Sequence, residues 1–285
     1  MVIDSACLTP PRAALNDRTQ PPWLMGILNI TPDSFSDGGK FSQTATALAH
    51  ARAMVSDGAA IIDVGGESTR PGAGPVPDEI QLARVLPVIE ALRQTLPDAL
   101  ISIDTRSPRV AQRAITHGAG VINDVTAARA SGMLEVAAGS DAVLILMHMQ
   151  GTPETMQAAP HYADVVGEVL EFLLARAAAA EQAGITRARI VLDPGIGFGK
   201  TRAQNLQLLA ALPRFVATGY SIMLGTSRKR FMGAICRETE FSELVGATCA
   251  TTALGTAAGV RIFRVHDVKP NRQAMEVAWA LKHSR

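Results

Sequence analysis

Only three cysteines, Cys7, Cys236 and Cys249, are spread along 285 residues, and no two of them form a CxxC pair. An odd, scattered set argues against a disulfide framework and a zinc site, and it reads as free thiols in a reducing compartment. An excess of one charge is also missing: 27 basic and 26 acidic residues are interspersed and sum to +1. That balance leaves no electrostatic footprint for nucleic acid or a membrane surface, and it points to a small substrate. Long hydrophobic runs are absent. Ala142 to Met147 is the most apolar stretch, but it is short and ends at His148; Leu244 to Val260, the longest stretch without acidic or basic residues, is diluted by Gly and Thr. Neither approaches the roughly 18 apolar residues of a membrane-spanning helix. The first 22 residues carry Pro10, Pro11, Pro21 and Pro22 and lack the continuous apolar core of a secretory signal. They read as a flexible tail before one domain of residues 23–285, and a cytoplasmic location is expected.

With 47% hydrophobic and 19% charged residues, the chain has the make-up of a globular domain, and at this length it can bury its core without staples. Eight short apolar runs follow the tail: Trp23 to Ile30, Ala60 to Val64, Leu100 to Ile103, Gly120 to Ile122, Ala142 to Met147, Arg189 to Leu192, Ser221 to Leu224 and Val260 to Val265. Between them lie segments such as Glu79 to Leu96 and Tyr162 to Ala183, rich in Ala, Leu, Glu and Arg, with apolar residues at helical spacing. Eight alternating βα units predict an α/β fold, the (β/α)₈ TIM barrel; a doubly wound open sheet is the competitor, and no GxGxxG follows the first run.

Polar residues cluster just after these runs, which is the catalytic face of such a barrel. They are Asn29, the Glu67-Ser68-Thr69-Arg70 segment, Asp104, Asn123 with Asp124, His148, Asp193, Ser227-Arg228-Lys229, and Arg264 with His266. One such residue is often only a helix cap. Complementary chemistry at all eight junctions is harder to explain that way. Asp104 and Asp193 each end an aliphatic strand, so both carboxylates lie deep in the barrel mouth, where a ligand with an amino group beside a ring N–H would satisfy them. Asn123 adds a donor and an acceptor, and Lys229 suits a ring carbonyl or imine nitrogen. The competing reading is an internal Asp–Lys or Asp–Arg pair. Arg264 and His266 are two apart in the eighth run and face one side, near the usual phosphate site of these barrels. Two further segments, Asn29 to Gly39 with Phe35 and Gly65 to Gly74 with Thr69, Arg70 and Pro71, read as lids.

From about Trp23 to the C-terminus the sequence resembles the dihydropteroate synthase family. The resemblance rests on Asn29 to Gly39, Ile62-Asp63-Val64-Gly65-Gly66-Glu67-Ser68-Thr69-Arg70-Pro71-Gly72, Met147 to Pro153, Leu192-Asp193-Pro194-Gly195-Ile196-Gly197-Phe198-Gly199-Lys200, Ser227-Arg228-Lys229 and Arg264 to Val268. It implies joining of 6-hydroxymethyl-7,8-dihydropterin pyrophosphate to p-aminobenzoate, with loss of pyrophosphate. It further implies a pterin site of Asp104, Asn123, Met147, Asp193, Phe198, Gly225, Lys229 and Arg264. Asn29 with Mg²⁺, Thr69, Arg264 and His266 would hold the pyrophosphate. Phe35, Thr69, Arg70, Pro71, Phe198 and Ser227 would form the p-aminobenzoate side. Asp104, Asp193, Lys229, Arg264 and His266 would carry the chemistry, and the family implies a homodimer through the last helices. Gln204 departs from the His of many relatives. Two other readings are a pterin-binding methyltransferase barrel and a catalytically silent pterin-binding protein. The first needs neither lid nor the Arg264–His266 pair; in the second, one of Asn29, Lys229, Arg264 and His266 is usually lost, and all four are present.

Overall fold

The computed structural model describes residues 15–30, 40–68 and 72–284, with the backbone alone for 40–43. Eight strands run β1 Trp23–Asn29, β2 Ile61–Gly65, β3 Leu100–Asp104, β4 Val121–Asp124, β5 Val143–Met147, β6 Ile190–Asp193, β7 Ser221–Leu224 and β8 Ile262–Val265. All pairings are parallel, and β1 pairs with both β2 and β8, so the sheet closes into a barrel rather than an open doubly wound sheet. The helices between them are α1 Lys40–Ser56, α2 Asp78–Thr95, α3 Pro108–Thr116, α4 Met133–Ala138, α5 Val165–Gln182, α6 Arg202–Ala210, α7 Leu212–Val216, α8 Arg230–Cys236, α9 Val245–Ala258 and α10 Val268–Lys282. Local chemistry explains several starts. Ser107 caps α3 by accepting from the Val110 N–H, with Pro108 at the first helical position. Thr201 and Gln204 form a reciprocal capping box at the start of α6, which gives Gln204 a structural job.

Strand alternation divides the apolar residues into two cores. Met25, Ile61, Leu100, Val121, Val143, Ile145, Val191, Met223 and Ile262 fill the barrel interior. Leu28, Ile62, Val64, Ile103, Leu146, Leu192, Leu224 and Phe263 face outward against the helices. Successive strand residues point to opposite faces, so Asn29, Asp63, Asp104, Asn123, Met147, Asp193 and Arg264 share the inward parity of the first set. β2, β3, β4 and β6 each extend past the last aliphatic residue to Gly65, Asp104, Asp124 and Asp193. Sequence hydropathy stops at the apolar boundary, whereas ladder pairing continues through the polar residue.

The tail expected through residue 22 differs from this over residues 15–22. Leu15 is 1% exposed and packs into the floor of the barrel interior. Ser221 Oγ donates to the Leu15 carbonyl at 3.2 Å, and Arg261 donates to the carbonyls of Gln20 and Pro21 at 2.6 and 3.2 Å. A side chain that plugs an apolar barrel end and a buried guanidinium that needs acceptors together order this segment. Cys236 and Cys249 are free thiols, and Cys7 lies outside the described residues. Among the described residues no helix is long and apolar enough to cross a membrane.

Candidate active site

At the C-terminal mouth of the barrel, inward residues of seven strands converge. Asp104 and Asp193 are each 4% exposed, Asn123 is 2% exposed and Asp63 is fully buried. Arg264 on β8 crosses the barrel and bridges two of these carboxylates: its Nε donates to Asp63 Oδ2 at 2.6 Å and its Nη2 to Asp104 Oδ2 at 2.8 Å. Asn123 Nδ2 donates to the same Asp63 oxygen at 3.0 Å. The internal Asp–Arg pair weighed from the sequence is therefore present, but it leaves acceptors over. Asp63 Oδ1 and Asp104 Oδ1 are buried without a hydrogen-bond partner among the described residues. Asp193 Oδ1 accepts from the Gly195 N–H at 2.7 Å.

Burial dominates the electrostatics. It pushes the Asp104 carboxyl up to about 7, against the lowering pull of Arg264. Asp193 is raised for the same reason, although the Gly195 N–H and Lys229 oppose the shift. Burial works against the Arg264 charge, but Asp63 and Asp104 outweigh it and hold its pKa above the ordinary value.

The space above these groups is bounded by a glycine. A Cβ on Gly225 would lie 3.9 Å from both Arg264 Cβ and Asp193 Oδ2, so its absence leaves a slot between the guanidinium stem and the carboxylate. One rim is apolar: Val125, Met147, Met149 and Met156 pack together with Phe198 against them. Lys229 Nζ sits 4.0 Å from the centre of the Phe198 ring, a cation–π contact that fixes both at the edge of the slot.

The turn after β6 carries Phe198 and is held by a buried cation. Lys200, 3% exposed, donates to the carbonyls of Gly195 and Phe198 at 3.0 and 2.9 Å and lies 3.0 Å from His148 Nδ1. Burial lowers the Lys200 pKa to about 7, and burial followed by the Lys200 charge lowers His148 to about 3. The turn passes so close to β5 that Gly195, with φ +66°, admits no side chain: a Cβ would meet the His148 carbonyl oxygen at 1.9 Å.

On the opposite rim, the loops after β7 and β8 are joined. Ser227 Oγ accepts from the His266 backbone N–H at 3.1 Å and lies 2.9 Å from His266 Nδ1. The hydroxyl can both accept from the N–H and exchange a hydrogen bond with Nδ1, so Ser227 fixes the orientation of the His266 ring. Asn29, at the end of β1, places Oδ1 3.4 Å from the position of a Cβ on Gly65, with Asp104 Oδ2 3.8 Å from that point.

Asn29, Asp104, Asn123, Met147, Asp193, Phe198, Gly225, Ser227, Lys229, Arg264 and His266 thus gather around one mouth, whereas Phe35, Thr69, Arg70 and Pro71 lie outside the described residues. Sequence reasoning missed Asp63 and Lys200 as site residues. Asp63 stands inside an aliphatic strand, Ile61-Ile62-Asp63-Val64, one layer below the strand ends where polar residues were sought. An acid in such a run at inward parity is the signal that would have found it.

Residues 25–266 match the pterin binding enzyme family. The chain is 46% identical over 260 residues to the dihydropteroate synthase of Synechocystis sp., covering 91% of this chain and 90% of that protein. The structure of Xanthomonas albilineans dihydropteroate synthase with 4-aminobenzoic acid aligns with a TM-score of 0.86 at 45% identity, over 93% of this chain and 94% of that one. A second structure from X. albilineans, the dihydropteroate synthase in complex with 7,8-dihydropteroate, aligns with a TM-score of 0.81 at 39% identity, over 93% and 94% of the two chains. A closed parallel barrel with acids, amide and cations at its C-terminal mouth, matched over nine tenths of its length, places this chain in the dihydropteroate synthase family of pterin-binding enzymes.

Proposed function

We propose that the protein condenses 6-hydroxymethyl-7,8-dihydropterin pyrophosphate with p-aminobenzoate to give 7,8-dihydropteroate and pyrophosphate. The observation that carries this reading is the slot at Gly225, with buried carboxylates of Asp104 and Asp193 on its floor and Arg264, Lys229 and Phe198 at its edges. A flat heterocycle with an amino group beside ring N–H groups supplies the donors that these buried acceptors need, and Lys229 meets its carbonyl edge. The relatives with 4-aminobenzoic acid and 7,8-dihydropteroate support the same pair of substrates.

In this reading Arg264 and His266 bind the leaving pyrophosphate, with the His266 ring oriented by Ser227. As the methylene–oxygen bond breaks, positive charge spreads into the pterin, and Asp104 and Asp193 stabilise it. Burial disfavours the Asp104 charge in the absence of a ligand, and a positive charge developing beside it favours the ionised carboxylate, so the attraction is stronger for the cation-like state than for the neutral pterin. The aromatic amine is a weak nucleophile, so displacement runs through a dissociative, cation-like state, with no covalent bond to the enzyme. Phe198 and Met147 keep water from the pterin face. Phe35, Arg70, Pro71 and Ser227 are assigned to the p-aminobenzoate side, and Thr69 joins the pyrophosphate set.

Magnesium fits as an ion that arrives with the diphosphate. Among the described residues no group of three His, Cys, Asp or Glu side chains is placed to hold a metal, while Asn29 offers one hard amide oxygen at the mouth. Mg²⁺ accepts such a set, since it keeps water and phosphate oxygens as most of its ligands. When bound it neutralises charge on the leaving group. A cytoplasmic homodimer completes the proposal; the dimer is supported by exposed apolar side chains on the last two helices, Leu254 on α9 and Val277 and Leu281 on α10, each at least 62% exposed.

The reading is tested by following dihydropteroate formation from the two substrates with wild type and Asp193→Asn. Wild type is expected to turn over and the variant to lose at least a hundredfold in kcat/KM while remaining folded, roughly 3 kcal/mol of transition-state stabilisation. Unchanged turnover in Asp193→Asn would overturn it.

A further inference from the structure

Asp63 is fully buried inside β2, one layer below the strand ends, and carries two contacts that reach the site. Its Oδ2 accepts from Arg264 Nε at 2.6 Å and from Asn123 Nδ2 at 3.0 Å, while its Oδ1 has no hydrogen-bond partner among the described residues. Folding alone gives no reason for this arrangement. A buried ion pair is commonly no more stable than apolar packing of the same shape, and the neighbouring inward positions of β2 and β3, Ile61 and Leu100, show that the barrel interior accepts such packing.

We propose that Asp63 is a positioning residue that acts through Arg264 and Asn123; the inference rests on the synthase reading above. Arg264 has a long, rotatable stem. Fixing its Nε to Asp63 and its Nη2 to Asp104 holds the guanidinium plane across the barrel beside the Gly225 slot, where it meets a bound ring and the departing pyrophosphate. The same Asp63 oxygen decides the orientation of Asn123. A carboxylate accepts only, so the amide nitrogen faces down and the Asn123 carbonyl oxygen is presented to the pocket. One buried oxygen thereby sets the pose of a cation and the polarity of an amide, and β2 joins β3, β4, β6 and β8 in building the site.

Substituting Asp63→Asn keeps the shape and removes the charge, and a double-mutant cycle with Arg264→Ala reports whether Asp63 works through the arginine. For Asp63→Asn we expect kcat per folded enzyme to fall at least tenfold, the KM for p-aminobenzoate to stay within twofold, and the Asp63→Asn/Arg264→Ala double variant to be no more than threefold slower than Arg264→Ala alone. Thermal unfolding gives a second reading that does not need activity: removing the carboxylate should raise the Tm of Arg264→Ala, because Asp63 is then buried without its counter-charge. Multiplicative losses in kcat together with no gain in Tm would overturn the proposal. If wild type makes no dihydropteroate, the synthase reading fails, whereas an active wild type with an unaffected Asp63→Asn variant rejects only the role of Asp63.

Discussion

The Lys200 ammonium lies 3.0 Å from His148 Nδ1 and donates to the Gly195 and Phe198 carbonyls, so one buried cation ties the turn after β6 to the end of β5. Lys200→Met should leave these acceptors unsatisfied and cost about 2–4 kcal/mol of stability. Because the same turn carries Phe198, pterin affinity should fall with it. Denaturant unfolding and pterin titration of the variant measure the two effects, and retention of both would show that the turn holds itself.

His148 makes stability depend on acid. The unfolded ring takes up a proton near its ordinary 6.5 and the folded ring only near 3, so between these values the unfolded state binds more protons. Its contribution is fully present above pH 6.5 and is lost as the pH falls through that window. Gln can still accept from Lys200 without titrating. The drop in guanidinium midpoint between pH 7 and pH 4.5 should be smaller in His148→Gln than in wild type; an equal drop would contradict the assignment.

Gly225 separates the slot from the fold. Its backbone is not left-handed, and a Cβ there makes only ordinary 3.9 Å contacts, so Gly225→Val should keep the wild-type Tm within a few degrees. The branched side chain occupies the slot itself, and pterin affinity should fall at least tenfold, about 1.4 kcal/mol. Calorimetric titration with a pterin checks this, and undiminished binding would place the ligand elsewhere.

Leu15 acts at the opposite end of the barrel. It is 1% exposed beneath the interior core, so Leu15→Ala should cost about 2–5 kcal/mol. Conservation of kcat and KM at a temperature where the variant is folded is expected, since the N-terminal face of a barrel serves stability and the C-terminal face chemistry. A change in KM would mean the plug communicates with the mouth.

These residues also show what sequence made legible. Alternation of aliphatic runs with helical segments identifies eight strands, because burial on both sides of a barrel strand writes itself as hydropathy. Asp104 and Asp193 are visible because each interrupts an aliphatic run at its end. Asp63 escapes that criterion by sitting one pleat deeper, and the Arg264 bridge is invisible because it joins residues 201 and 160 positions apart. Lys200 reads as the end of a motif, while its partners are carbonyls brought close only by the turn at Gly195. The floor plug at Leu15 falls in a Pro-rich stretch with no periodicity, so its order comes from tertiary packing alone.

The central claim concerns one reaction, and it is tested most directly by measuring pyrophosphate release from dihydropterin pyrophosphate with and without p-aminobenzoate and Mg²⁺. Release that requires Mg²⁺, is accelerated by p-aminobenzoate and matches dihydropteroate formation one for one is the predicted result. Absence of release with both present, or release with no dihydropteroate formed from p-aminobenzoate, would contradict it.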